Sequence, residues 1–295
     1  MDISQKLYAI HILNRLINWV NGNAILTPLQ AGFRPKNSTV DQVFRLFAIY
    51  TRYVVYKKQS LYITFIDLRA AFDLVPRNIL WKRFDVLGAP APLISAIRHL
   101  HSNNFAKIQW GLNGEITNEV PILRGVRQGC VLAHTLFSLY LNEIDQQLLK
   151  CVHNCPIIGG LHAPILLFAD DSILISRTAS GLQNLTVTFC AFLDDRGLEI
   201  NVKKTKCMCI RNSKGKSYYF YAKGARLENV HSIDYLGIWL NSKMTWSEHL
   251  SKSQTVLKQC SGAVLKLNAS SSTKAISPAL ANISHSGPDG SNVWL

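Results

Sequence analysis

Residues 166–175, LLFADDSILI, set two carboxylates, Asp170 and Asp171, side by side in an otherwise apolar run. Neighbouring like charges repel and burial penalises both, so the pair needs compensation. A third acid, Asp67, closes the apolar run in YITFIDLRAAFD. If the strands carrying these acids are adjacent, with Asp171 in the turn, three carboxylates converge and call for divalent cations. Carboxylates suit a hard ion such as Mg²⁺, and such a set suits two-metal phosphoryl transfer. Turn chemistry is the competing reading, since Asp is common in turns. Residue types and spacing leave both open.

These acids need a sheet to deliver them. SLYITFI (60–66) reads as a buried strand, and 166–175 as a hairpin whose apolar flanks are buried. Between them, PRNILWKRFDVLG is framed as a helix by Pro76 and Gly88. Strands are expected in 105–120, with LNGE supplying an Asn-Gly hairpin signal. After the glycine-bracketed loop GVRQGC, Leu132, Leu136, Phe137, Tyr140, Ile144 and Leu148 mark one face of a single long helix. Leu182, Leu185, Phe189 and Phe192 trace another, ended by Gly197.

Strands near 206–210 and 235–240 follow, and the first 50 or so residues read as helical with a break at TPLQAGFRPKNST. Strands and helices mix without regular alternation, so the class is α+β.

The chain of 295 residues has 48% hydrophobic content, enough for a sizeable core. Its formal charge of +14 suggests a polyanionic partner. Residues 201–226 carry eight Lys or Arg and no acid, with YYFY inside, a density that points to nucleic-acid contact rather than a plain solvated face. No apolar run approaches the roughly 20 residues of a membrane helix, and Lys6 and Arg15 interrupt the opening segment, so an intracellular protein, nuclear or cytoplasmic and not secreted, is expected. Seven cysteines without paired CxxC elements argue against a disulfide scaffold. Cys151, His153 and Cys155 lack a second ligand pair for zinc and read as ordinary side chains with free thiols.

The segments QAGFRPKNSTVDQVF, FIDLRAAFD, GVRQGCVLAHTLFSLYL, LLFADD, GLEINVKKTK and YLG stand in the order in which similar segments occur in reverse transcriptases of non-LTR (LINE-type) retrotransposons. The resemblance runs over residues 6 to 240. It implies a right-hand polymerase with a ferredoxin-like antiparallel palm, acting as an RNA-directed DNA polymerase on an RNA template, a DNA primer and dNTPs. It implies two Mg²⁺ ions, replaceable by Mn²⁺, held by Asp67, Asp170 and Asp171, with the carbonyl of Leu68 completing the coordination.

Phe72 matches the bulky residue that lies under the sugar and excludes a 2′-hydroxyl; a core phenylalanine is its plainer reading. Gln128 and Gly129 match residues lining the nucleotide and template pocket, and Arg127 either contacts template phosphate or caps local structure. Lys204 aligns with a lysine that protonates departing pyrophosphate, a task that needs a proton held at neutral pH. Arg34 resembles a fingers residue gripping triphosphate. Tyr235, Leu236 and Gly237 resemble the turn supporting the primer end, or form a plain strand.

The match implies fingers over 1–59, palm over 60–240, the start of a thumb over 241–267 and a low-complexity tail over 268–295. Fingers and thumb read as truncated, as in a fragment of a longer element. Ala133 and His134 replace the family's usual Ser-Pro, a loss expected to loosen the helix start. The rival to a polymerase is a catalytically defective nucleic-acid-binding remnant.

Overall fold

The computed structural model describes residues 3–102, 104–107, 109–110, 115–127, 129–151, 154–210 and 218–269. Two compact units are present, one comprising Met1–Ser232 with Ser242–Met244, the other Ile233–Asn241 with Thr245–Leu295.

The larger unit opens with α1 (Ile3–Gly22), which buries Ala9, Ile12, Leu16 and Val20 along one face. The turn-rich break follows, then α2 (Thr39–Tyr50). Ser38 starts α2 with a reciprocal cap: its hydroxyl accepts from the Asp41 amide, and the Asp41 carboxylate accepts from the Ser38 amide. A π-helical turn, Thr51–Tyr56, leads into β1 (Leu61–Ile66). All six residues of β1 are buried, as its continuous β-branched and aromatic run demands of a central strand.

Helix α3 (Arg77–Val86) begins after Pro76 and is followed by Gly88 at φ +71°, as the sequence indicates. It is followed by α4 (Ala91–His101). Short ladders pair 105–106 with 120–121 and 109–110 with 115–116, and the Asn-Gly turn expected between them lies outside the described residues.

The long helix expected over 132–148 is instead two: α5 (Ala133–Tyr140) and α6 (Ile144–Cys151). Glu143 takes a left-handed φ of +78°, which no continuous α-helix accommodates. The apolar residues keep their common burial across the break, which is why periodicity alone joins them.

The hairpin of β2 (Ile165–Phe168) and β3 (Asp171–Ser176) comes next, then α7 (Ala179–Asp195), capped by Thr178 and ended by Gly197 at φ +64°. Strands β4 (Lys206–Ile210) and β5 (Glu228–Asn229) complete the main sheet. Its order is β5-β4-β1-β3-β2, antiparallel except for β4 with β5. Helix α7 packs on β1 and β3.

Part of the basic segment serves the fold. Phe220 is buried beside Tyr62, while Lys206 and Lys223 pair with Glu228 and Asp194; residues 211–217 lie outside the described set. The smaller unit holds β6 (Ser232–Tyr235, from Ile233 on), β7 (Ile238–Asn241) and α8 (Ser247–Ala269). Among the described residues no helix is long and apolar enough to cross a membrane.

Candidate active site

The central strand and the hairpin bring the acids to one edge. Ile66 on β1 pairs with Ser172 on β3, so the next residues outward are Asp67 and Asp171. The hairpin closes on the pair Phe168–Asp171, leaving Ala169 and Asp170 as its two-residue loop. Asp171 therefore opens β3 rather than occupying the turn, as the sequence reading had it. Ala169 alone in that loop has positive φ, +56°, the sign pattern of a II′ hairpin turn.

Burial pushes the Asp170 carboxyl above the usual carboxylate range, and the Asp67 charge adds to the effect. Asp67 and Asp170 are thus within electrostatic reach, both half-buried, while Asp171 is exposed. Among the described residues no three His, Cys, Asp or Glu side chains are gathered closely enough to enclose an ion by themselves.

Three attachments fix this edge. Beyond β1, the Asp67 amide donates to Thr205 Oγ1 (3.2 Å), its carbonyl accepts from the Asn201 amide (2.8 Å), and Leu68 bridges Ile200. Lys204 sits exposed in the turn just before Thr205, at the same end of the sheet as Asp67. On the outer edge, residues 29–31 run along β2: the Leu167 amide donates to Leu29 and the Ala31 amide to Leu167.

The buried Gln30 side chain accepts from the amides of Gly32 (2.9 Å) and Ala169 (3.2 Å), and Gln42 donates to the Leu167 carbonyl. A Cβ on Gly32 would stand 2.2 Å from the Ala169 nitrogen. Gln30, Gly32 and Gln42 are positioning residues that the sequence reading missed. The only local signal is a pair of glutamines that turn out fully buried, and the hairpin groups they bond, at Ala169 and Leu167, lie more than a hundred residues away.

Around Phe72, the Val126 amide donates to the Phe72 carbonyl (2.9 Å) and the Gly125 amide to Val75 (2.8 Å). Any Cβ on Gly125 would strike Asp73 backbone at 2.7 Å, and its φ is +82°, so glycine is needed for this loop to close on Phe72. The Phe72 ring packs on Phe137 (4.9 Å) and edge-on against His134 (5.3 Å). His134 also stacks on Phe33 at 3.6 Å. It thus contacts both rings, and burial lowers its imidazole pKa.

Gly129 has φ +74°, and Gln128 lies outside the described residues. Arg127 lines an open cavity of about 770 Å³ with Tyr8, His99, Asn104 and Phe105. The Arg34 guanidinium donates to the carbonyls of Thr27 and Gln30, so it braces its own loop. Tyr235, Leu236 and Gly237 belong to the smaller unit, where Leu236 and Gly237, both at positive φ, turn β6 into β7.

Of the Cys151, His153, Cys155 run, His153 lies outside the described residues, Cys151 is exposed, and Cys155 is buried with its thiol pKa pushed up by burial.

The fold has counterparts among solved structures. Telomerase from Candida tropicalis in complex with the TWJ fragment of telomeric RNA superposes with a TM-score of 0.57 at 12% identity, covering 81% of this chain and 36% of that one. An apo telomerase from the same organism, truncated from its C-terminal domain, gives 0.52 at 15% identity, covering 81% and 44%. At such identities the likeness is one of fold alone.

The chain belongs to the reverse transcriptase (RNA-dependent DNA polymerase) family, whose model matches residues 1–240, and is of the non-LTR retrotransposon kind. It is 28% identical over 261 residues to a probable RNA-directed DNA polymerase from transposon BS of Drosophila melanogaster, covering 83% of this chain and 27% of that protein. It is 24% identical over 255 residues to the RNA-directed DNA polymerase from mobile element jockey of the same species, covering 84% and 27%. The chain thus spans about a quarter of the length of these curated relatives.

Proposed function

We propose that this chain is an RNA-directed DNA polymerase domain that extends a primer 3′-hydroxyl with dNTPs on an RNA template. The observation carrying this reading is the delivery of Asp67 and the Asp170–Asp171 pair to one sheet edge by adjacent antiparallel strands, in a chain of this family. The strand order β4-β1-β3-β2, with helices between β1 and β2 and between β3 and β4, supports a ferredoxin-like palm over 60–240. Fingers before it and the start of a thumb after it complete the right-hand reading.

The residues present fit a divalent cation in donor chemistry. They offer hard carboxylate oxygens, and Asp170 in a setting where its charge is disfavoured until a cation arrives. Such oxygens suit Mg²⁺, which is commonly held by one or two carboxylates plus substrate phosphates. Asp67, Asp170 and Asp171 would hold it, with the Leu68 carbonyl. When bound, a metal pair lowers the pKa of the attacking hydroxyl and neutralises the leaving pyrophosphate.

The chain's own side chains do the rest. Phe72, steadied by Phe137 and His134, presents a ring where a ribose 2′-hydroxyl would collide, and so selects deoxynucleotides. Gly129 serves the nucleotide pocket, a role the family resemblance gives to Gln128 as well, and Arg127 holds template phosphate. Arg34, released from its loop carbonyls, offers a fork to the triphosphate. The Lys204 ammonium donates its proton to the departing pyrophosphate oxygen. Tyr235, Leu236 and Gly237 support the primer end.

Template-dependent dNTP incorporation on an RNA template tests the reading. A non-catalytic nucleic-acid-binding remnant would bind the same template in a salt-sensitive way and incorporate nothing.

A further inference from the structure

Three cations converge on one buried ring at the end of the sheet opposite the carboxylates. Tyr53, 2% exposed, has Lys57 Nζ at 4.9 Å, Arg177 Cζ at 5.6 Å and Arg52 Cζ at 5.8 Å from its ring centroid. The π-helical turn makes this possible. The Lys57 amide bonds to the Arg52 carbonyl five residues back, so the two side chains stand one turn apart on one side. In an α-helix of 3.6 residues per turn they would point to different sides. Single π turns of this sort recur at functional sites.

Arg177 reaches the ring from a different element, as the residue that follows β3. Cation–π attraction offsets part of the mutual repulsion, but none of the three has an acidic partner among the described residues. Arg177 Nε is enclosed yet has no hydrogen-bond acceptor among the described residues, and Arg52 donates once to the Ile157 carbonyl. Lys57 and Lys58 are exposed, and Tyr56 beside them is 78% exposed.

We infer that Arg52, Lys57 and Arg177 form a phosphodiester-binding site for single-stranded nucleic acid, with the Tyr56 ring as a stacking face for an unpaired base. The guanidinium forks suit phosphate oxygens, and the ammonium serves as a point charge. An acidic peptide would match the charge but leaves the bare ring without a role, whereas exposed aromatics beside cations are how sequence-tolerant single-strand binders hold bases. Six strand residues, roughly 20 Å at about 3.3 Å each, separate the cluster from Asp67. It therefore grips a stretch of strand other than the one at the carboxylates. The inference stands on this geometry and does not require the polymerase reading.

The test is anisotropy with a labelled single-stranded RNA of about 12 nucleotides, and separately the DNA of the same sequence. It is run without dNTPs or metal, from about 50 to 200 mM salt. The triple variant Arg52→Gln, Lys57→Gln, Arg177→Gln is expected to weaken binding of both strands about tenfold and to reduce the salt slope by about 2, from roughly 0.7 per contact. Lys57→Gln alone, at an exposed position that leaves the core untouched, should reduce the slope by about 0.7. Tyr56→Ala should weaken binding with the slope unchanged.

A control triple at exposed sites, Lys6→Gln, Lys82→Gln and Lys258→Gln, should have a smaller effect. An unchanged slope in the cluster variants, an equal fall in the control triple, or dependence on the cluster for a polyglutamate probe but not for RNA would overturn the inference.

Discussion

Gln30 Oε1 accepts the amide of Ala169 at 3.2 Å, linking residues 139 positions apart in sequence. The same oxygen accepts the Gly32 amide. One buried side chain therefore anchors the carboxylate turn to the loop that carries Arg34. Gln30→Ala strands two buried amides and should destabilise the domain by roughly 2 to 4 kcal/mol. Denaturant midpoints of purified wild-type and variant check this, and a midpoint within experimental error of wild-type would contradict it.

Gly32 lies where the loop and the hairpin backbones meet. With a Cβ 2.2 Å from the Ala169 nitrogen and 2.7 Å from the Phe168 carbonyl carbon, Gly32→Ala must push the turn away. We expect a loss of roughly 2 kcal/mol or more, and polymerase activity that falls further than stability does. Gly22→Ala, at the end of α1 with open space around it and no left-handed φ, controls for glycine effects in general.

Asp170 opposes folding at neutral pH. Its folded pKa is raised, so its contribution is most favourable when it is protonated in both states, below the unfolded value of about 3.9. That contribution is lost as pH rises through the folded pKa. Asp170→Asn should therefore be more stable than wild-type at pH 7, with the gap closing as pH falls towards 4. Urea titrations across that range in the presence of a chelator report the difference. A variant less stable at pH 7 would contradict the assignment.

The same linkage acts at the alkaline end. Cys207, fully buried against Thr64, has its thiol pKa pushed up to about 12 by burial, and the Tyr140 phenol is likewise pushed up to about 12. The stability they contribute is complete below their unfolded values, about 8.5 and 10, and is lost as pH rises towards 12. Thiol labelling of the native protein near pH 8 should modify exposed Cys151 and Cys260 and spare Cys207. Rapid labelling of Cys207 would show that the centre of the sheet opens.

What the sequence revealed follows from local physics. The apolar run of β1, the flanks of the hairpin, and the Pro76 and Gly88 bounds of α3 are each written in contiguous residues, and the three acids fall at the ends of strands for that reason. What it concealed depends on distant partners. Gln30 and Gln42 read as polar loop and helix residues until Leu167 and Ala169 bury them. The break at Glu143 leaves the apolar phase intact, so Leu148 still counts as part of the helix begun at Ala133. Asp171 moves from turn to strand because Phe168 pairs with it. His134, read as a lost proline, contacts two rings only once Phe33 and Phe72 are brought to it.

The central claim is that the edge bearing Asp67, Asp170 and Asp171 carries out nucleotidyl transfer. The most direct measurement is extension of an oligo-dT primer on poly-rA with dTTP and Mg²⁺ or Mn²⁺, wild-type beside Asp170→Asn. Wild-type should incorporate dTMP in a template-dependent manner, and the folded variant should lose several orders of magnitude of that rate. Equal incorporation by the variant, or none by folded wild-type with either metal, would contradict the account.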